Sequence, residues 1–243
     1  VGAYHLVLND RGGQARQGSG AAQAGEAGAQ TRLLLIRHGE TQWNAQGRIQ
    51  GHRDIGLSER GTRQAQLLAQ FLAREDIDVV FASDLSRAHD TARPLAQARG
   101  VDLHIDWRLR ERGFGLFEGH TYEEAEANWP NEYAIWRRRD PAYAVPGGES
   151  YLTARTRVFE FLSEILHRHA GATVAVVTHG GVLDIVYRAA LAIPWETPRS
   201  HILPNASINR VDARPGRAGN PPELTVVAWA QADHLDGAGD ELP

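Results

Sequence analysis

The sequence predicts an α/β domain, a mainly parallel sheet flanked by helices on both faces in a three-layer α/β/α arrangement. Three observations carry this expectation. Short apolar runs of strand length alternate with longer amphipathic stretches whose apolar positions recur at helical spacing. Residues 173–177, Thr-Val-Ala-Val-Val, form the most strand-like run in the chain. Helix-capping residues stand at the boundaries between the two kinds of segment.

Residues 33–36 read as the first strand. Ser58 opens a helix with Ala65, Leu68 and Leu72 on one face, and residues 79–82 return as the next strand. Ser86 has the character of a cap for a third element over residues 87–99. Residues 103–107 are a further strand candidate, followed by an irregular, glycine-containing stretch over 111–119. Thr121 and Glu124 have capping-box spacing, which predicts a short helix over 122–128 that Pro130 ends or restarts. This central part is expected to lie over the sheet as a lid. Ser150 begins the longest helical pattern, with Val158, Leu162, Ile165 and Leu166 apolar. The strand at 173–177 ends in Thr178-His179-Gly180-Gly181; a helix over 182–191 follows, then weaker strands near 208–211 and 224–229. No internal repeat is visible.

The domain is expected to span residues 31–235. Residues 1–30 read as an N-terminal extension, disordered or loosely attached, because Gly, Ala, Gln and Ser dominate from Arg11 onward and offer little to bury against the ordering entropy. Residues 4–8 are an alternative short strand, and residues 236–243 form a C-terminal tail. The chain of 243 residues contains no methionine, which implies a processed, truncated or engineered N-terminus, or dropped modified methionines.

Composition narrows the function classes. The 26 basic residues, all arginine, stand against 30 acidic ones for a formal charge of -4, so no overall positive field exists to hold nucleic acid or an anionic membrane. Any anion site has to be local. Without lysine, Schiff-base chemistry and lysine-dependent phosphate loops are excluded. Without cysteine, thiol nucleophiles, disulfides and cysteine metal sites are excluded too, which fits the cytoplasm. No apolar stretch approaches the roughly 20 residues of a membrane helix.

Two histidines stand in equivalent places. His38 follows the strand at 33–36, and His179 follows the strand at 173–177; each precedes a glycine. The carboxyl ends of strands in an open α/β sheet are where ligands bind, and a glycine there lets backbone amides approach an anion. Both histidines therefore point toward one crevice, unless each is an ordinary strand-end residue. Arg37 precedes His38, and Arg87 opens a helix after the strand at 79–82. Two guanidiniums there can fork onto phosphoryl oxygens. The alternative for Arg87 is a surface salt bridge with Asp84 or Asp90.

Arg37-His38-Gly39-Glu40-Thr41 followed by Asn44 resembles the signature of the histidine phosphatase, phosphoglycerate mutase-like, superfamily. Further segments arrive in family order over residues 32–235: 47–51 (GRIQG), 57–61 (LSERG), 83–88 (SDLSRA), 109–111 (LRE), 117–119 (FEG), 147–150 (GGES) and 178–181 (THGG). The resemblance implies a phosphoglycerate mutase-like fold and a role for each matching position. His38 would be the nucleophile, attacking phosphorus through a neutral ring nitrogen while the other nitrogen donates to a backbone carbonyl. Arg37, Arg87 and a cationic His179 would hold the equatorial oxygens. Asn44 and the amide of Gly180 would add neutral donors. Gln50, with Gly51 beside it, would reach the phosphate or the substrate.

Glu111 matches the acid that protonates the leaving oxygen and then serves as base for water; its bland alternative is a surface carboxylate paired with Arg110 or Arg112. Glu40 is expected to orient a basic neighbour, and Asp54 to cap or turn the loop before Leu57. No cofactor is implied. No His, Asp or Glu set has metal-ligand spacing, since His167 and His169 are two apart on a helix and face different directions.

The partner implied is a small phosphorylated metabolite, with no nucleic acid and no membrane, and a homodimer stays open. The absence of lysine and the short stretch between Glu111 and Gly148 favour hydrolysis over phosphoryl return to the substrate. Trp136-Arg137-Arg138 resembles a substrate-gripping segment of the mutases, so a cofactor-dependent phosphoglycerate mutase is the alternative; a catalytically silent phosphometabolite-binding module is the third reading. Arg137, Arg138 and Arg139 either reach a second anionic group or form a solvated basic helix end.

Overall fold

The structure, a computed structural model, describes residues 29–217 and 220–235. The expectations for the chain before residue 29, the strand at 4–8 among them, and for the tail at 236–243 lie outside the described residues.

Six strands form one sheet: β1 (Thr31–Arg37), β2 (Val79–Ala82), β3 (Leu103–Ile105), β4 (Thr173–Thr178), β5 (Ile208–Arg214) and β6 (Glu223–Gln231), in the order β3-β2-β4-β1-β5-β6. The first four run parallel, and β5 and β6 join β1 as an antiparallel edge. The helices are α1 (Gln42–Ala45), α2 (Glu59–Phe71), α3 (Ser86–Arg99), α4 (Tyr122–Asn128), α5 (Pro130–Arg137), α6 (Tyr151–Arg168) and α7 (Gly180–Ala190).

Alternation along the strands produces the three layers. Leu33 and Leu35 of β1, with Val174 and Val176 of β4, face a core filled by α6 and α7. Leu34, Ile36, Ala175 and Val177 face the opposite core, closed by α2 and α3. A central strand with two buried faces has to be apolar at every position, and all of residues 33–36 and 174–177 are at most 2% exposed. Each such Leu, Ile or Val contributes about 1.5–3 kcal/mol by leaving water.

The caps fall where the side chains can reach. Ser58, Thr121 and Ser150 accept from the third residue of α2, α4 and α6, and the Thr121–Glu124 capping box is complete. Pro130 restarts a helix rather than ending one, since its fixed φ and missing N–H suit a first turn. Three boundaries differ from expectation. Ser86 lies inside α3, whose cap position is Leu85; the third strand stops at Ile105, with Trp107–Leu109 in a 3-10 turn; α7 starts at Gly180, two residues early. The central part does form a layer of its own, in which Phe117, Tyr133, Ile49, Ala125 and Val145 bury one another. Among the described residues no helix is long and apolar enough to cross a membrane.

Candidate active site

The carboxyl ends of β1 and β4 are adjacent in the sheet, so the residues that follow them meet. His38 and His179 lie with ring centroids 5.0 Å apart at 57°, and both are buried. His38 Nδ1 stands 2.7 Å from the carbonyl oxygen of Gly39. A carbonyl can only accept, so Nδ1 carries the proton and the lone pair belongs to Nε2. Burial first, then the charges of Arg87 and Arg37, hold the ring well below the usual histidine range and keep it neutral.

Arg87 is fully buried on the first turn of α3 and has no carboxylate partner among the described residues, so the salt bridge to Asp84 or Asp90 does not form. Asp84 binds Arg110 instead. Arg87 donates to the carbonyls of Arg53 and Gly51, each at 2.8 Å, and through Nε to His179 Nδ1 at 3.2 Å. That last bond corrects the expectation of a cationic His179. Guanidinium nitrogens only donate, so His179 Nδ1 accepts, the ring is neutral, and its single proton sits on Nε2. Burial and then Arg87 push it well below the ordinary range, and Nε2 is a buried donor with no partner.

Arg37 donates to the carbonyl of Leu203, while its Nε is buried without a partner. Desolvation lowers it to about 10. Asn44 belongs to the capping box of α1, where its Oδ1 accepts from Thr41 and from Asn205 Nδ2. With the oxygen engaged, Nδ2 is the group left to donate. Gly180 is the first residue of α7, so its N–H has no partner within the helix. Gln50 is buried with its Oε1 unpaired.

Gly51 holds φ at +53°, and a Cβ there would fall 2.0 Å from Glu118 Oε1. Only glycine fits a turn that aims its carbonyl at Arg87. Asp54 corrects its expected role in a related way. Its Oδ1 accepts from the N–H and hydroxyl of Ser86, at 2.8 and 2.7 Å, capping α3 from a distance and tying the 51–54 loop to the helix that carries Arg87. Glu40 does orient a base, holding Arg60 at 3.3 Å and accepting from Ser58 at 2.9 Å.

Glu111 is not the surface carboxylate of its alternative reading. Both its oxygens accept from the Gly181 N–H, at 3.1 and 3.0 Å, and Oε1 accepts from Arg112 N–H at 2.8 Å. Its segment is pinned by Arg157 of α6, which donates to the carbonyls of Arg108, Arg110 and Glu111 and pairs bidentately with Glu149 at 2.8 Å.

Eight of the nine predicted positions, Arg37, His38, Asn44, Gln50, Gly51, Arg87, Glu111 and Gly180, line one cavity of about 360 Å³; the ninth, His179, is fully buried against His38. The site also contains residues that sequence reasoning missed. Arg112, Trp195 and Arg199 line the same cavity, and Asn205 donates to the His38 carbonyl at 3.1 Å. Of the segment resembling the mutases, Trp136 lines the cavity, but Arg137 and Arg138 are exposed and do not. Arg139 turns inward instead. Among the described residues no three His, Asp or Glu side chains group as a metal ion would need.

The family model described as histidine phosphatase superfamily (branch 1) matches residues 33–220. A phosphoserine phosphatase 1 of Hydrogenobacter thermophilus is 38% identical over 162 residues, covering 67% of this chain and 77% of its own. A metal-independent phosphoserine phosphatase of Arabidopsis thaliana is 36% identical over 212 residues, 86% of this chain and 85% of its own. Relatives at comparable identity also include a phosphoglycerate mutase-like protein 4 of that plant, at 36% over 210 residues. The solved mycobacterial glucosyl-3-phosphoglycerate phosphatase, in complex with VO3, superposes with a TM-score of 0.73 at 30% identity, covering 83% of this chain and 99% of that one.

Proposed function

The chain belongs to the histidine phosphatase superfamily, branch 1, and from that membership and the geometry of its cavity we propose that it hydrolyses a small phosphomonoester through a phosphohistidine on His38. The activity class is phosphoric monoester hydrolase, in agreement with relatives named phosphoserine phosphatase and glucosyl-3-phosphoglycerate phosphatase. The observation that carries the reading is the neutral His38, its Nδ1 proton committed to the Gly39 carbonyl, in one cavity with Arg37 and Arg87, two guanidiniums that have no carboxylate partner among the described residues.

In the first step the Nε2 lone pair of His38 forms an N–P bond as the ester O–P bond breaks in line. The Arg37 and Arg87 charges, the His179 Nε2 proton, Asn44 Nδ2 and the Gly180 N–H stabilise the three equatorial oxygens. Glu111 gives its proton to the departing alkoxide, which is otherwise a poor leaving group. In the second step a water oxygen attacks phosphorus, its proton passes to Glu111, and the N–P bond breaks to return neutral His38 and inorganic phosphate. Each bond made is matched by one broken, and Glu111 ends as it began.

Isomerisation would need a substrate hydroxyl in place of that water. Arg137 and Arg138, the residues that recommended it, are exposed and do not line the catalytic cavity; Arg137 lines the adjoining one. The deciding assay follows phosphate release and 2-phosphoglycerate formation from 3-phosphoglycerate, with and without 2,3-bisphosphoglycerate, alongside p-nitrophenyl phosphate with and without chelator. Phosphate release insensitive to chelator is expected. Bisphosphoglycerate-dependent isomerisation without net phosphate release would replace hydrolysis by the mutase reading, and no turnover of any substrate would leave the binding module.

A further inference from the structure

The Arg37 guanidinium is aimed by a backbone carbonyl rather than by an acid. Its Nη1 donates to the Leu203 carbonyl, its Nε is buried without a partner, and no carboxylate pairs with it among the described residues. A guanidinium held this way is only as well placed as that carbonyl, and a shift near 1 Å at a reacting group can cost about 10²-fold in rate. Leu203 lies in the stretch 191–207 between α7 and β5, which carries no helix or strand. Whatever fixes that stretch therefore fixes Arg37.

Both ends of the stretch are anchored through backbone groups. The Ile193 N–H donates to the Arg188 carbonyl at 2.9 Å, and the side chains of Arg188 and Arg139 donate to the carbonyls of Pro194 and Trp195 at 2.8 and 2.7 Å. At the far end Asn205 and Ala206 both donate to the His38 carbonyl, at 3.1 and 3.2 Å. Between these anchors residues 196–200 are exposed and Ile202 is 75% exposed, while His201 and Leu203 turn inward. Leu203 enters the core; the His201 ring packs on Tyr187 of α7, centroids 4.2 Å apart, and on Trp229 of β6 at 6.0 Å. His201 Nε2 stands 3.2 Å from Asp184 Oδ1, and Asp184 Oδ2 accepts from Arg188 Nε at 2.9 Å. Nε2 and Oδ1 are both buried with no hydrogen-bonding partner elsewhere. An apolar side chain would suffice to pack on two rings; a histidine there brings a polar atom that has to be matched, and the carboxylate of α7 matches it.

We propose that His201 is a positioning residue for phosphoryl binding: paired with Asp184, it clamps the 199–203 stretch to α7 and so holds the Leu203 carbonyl that aims Arg37. The inference rests on the phosphatase reading, in which Arg37 takes a phosphoryl oxygen, and adds to it a residue that does not line the catalytic cavity. Asp184, which does line it, gives one oxygen to His201 and the other to Arg188.

The test reads phosphate binding without turnover, as the Kd for inorganic phosphate from isothermal titration calorimetry, in two opposite variants whose folding is checked by thermal unfolding. His201→Phe keeps a ring against Tyr187 and Trp229 and removes the nitrogen that faces Asp184. His201→Gln removes the ring and keeps a donor for the carboxylate. Kd is expected to rise about tenfold in His201→Phe, the size of one lost charge-assisted contact, and to stay within about threefold of wild type in His201→Gln. The loss of kcat/KM in His201→Phe should be equal on p-nitrophenyl phosphate and glycerol 3-phosphate, which present the same phosphoryl group. In an Arg37→Gln background His201→Phe should weaken phosphate binding by less than about threefold more, because its effect passes through Arg37. A tenfold loss in His201→Gln, or unchanged affinity in a folded His201→Phe, would make His201 a packing residue and overturn the proposal, as would fully additive losses in the double variant. The phosphatase reading fails on a different result, a wild-type chain that binds phosphate and hydrolyses neither ester.

Discussion

Gly181 offers a way to displace the candidate acid without damaging the fold. It is the second residue of α7, where alanine is ordinarily preferred to glycine by up to about 1 kcal/mol, so Gly181→Ala should leave the melting temperature unchanged or slightly raised. The Cβ it adds would stand 2.1 Å from Glu111 Oε1, whereas ordinary contacts begin at 3.4 Å. The carboxyl group therefore has to retreat by about 1.3 Å, the difference of those two distances. A misplacement near 1 Å at a reacting group can cost about 10²-fold in rate. The cost should depend on the leaving group, because p-nitrophenolate departs almost without a proton while an alkoxide does not. Steady-state kinetics should show kcat on glycerol 3-phosphate or phosphoserine falling about a hundredfold and kcat on p-nitrophenyl phosphate falling less than tenfold. Undiminished alkyl phosphate hydrolysis, or equal losses on both classes, would refute the placement of Glu111 as proton donor.

Other expectations rest on separate contacts. Arg157→Leu removes five hydrogen bonds, two of them to Glu149, and leaves that half-buried carboxylate without its guanidinium partner; chemical denaturation should show about 3–5 kcal/mol of lost stability. Gly51→Ala meets both a positive φ and Glu118 Oε1 at 2.0 Å, so the carbonyl that holds Arg87 must shift; kcat/KM for p-nitrophenyl phosphate should fall at least tenfold. His38 and His179 are held well below 6.5 in the fold, whereas in the unfolded chain they titrate near it. The unfolded state thus takes up more protons below pH 6.5, and stability, complete above that value, falls with decreasing pH by up to about 1.4 kcal/mol per unit for each histidine until the folded value is reached. For the same reason the acid limb of kcat/KM should lie well below 6.5; a limb centred at 6.5 would mean that His38 titrates normally and is not neutralised by its surroundings.

The parts of this fold that depend on neighbours in sequence were legible. Residues 33–36, 79–82 and 174–177 are apolar without interruption because both faces of those strands are covered, and Ser58, Thr121 and Ser150 announce helices whose N–H groups lie within their own reach. Errors arose where a distant residue does a local one's work. Asp54 caps α3, so Ser86 need not, and the helix after β4 begins at Gly180 because Glu111, 70 positions earlier, accepts from the second of its N–H groups. The site divides along the same line. His38, Arg37 and His179 follow strands that pair in register, so the crevice between them could be anticipated. The tautomer of His179 could not, since it is set by Arg87, nor could the packing of Arg112 and Arg139 on the Trp195 ring, which joins three segments far apart in the chain through ring and carbonyl contacts that leave no periodic trace.

The most direct measurement is of the covalent intermediate itself. Rapid acid-free quenching of the enzyme with a phosphorus-labelled substrate, followed by peptide mass spectrometry, should find one acid-labile, alkali-stable phosphoryl group on His38. The label should be absent from His38→Ala and, with p-nitrophenyl phosphate, whose leaving group needs almost no proton, should accumulate in Glu111→Gln, in which water attack lacks its base. Undiminished labelling of His38→Ala, or a label resident on His179, would contradict the account.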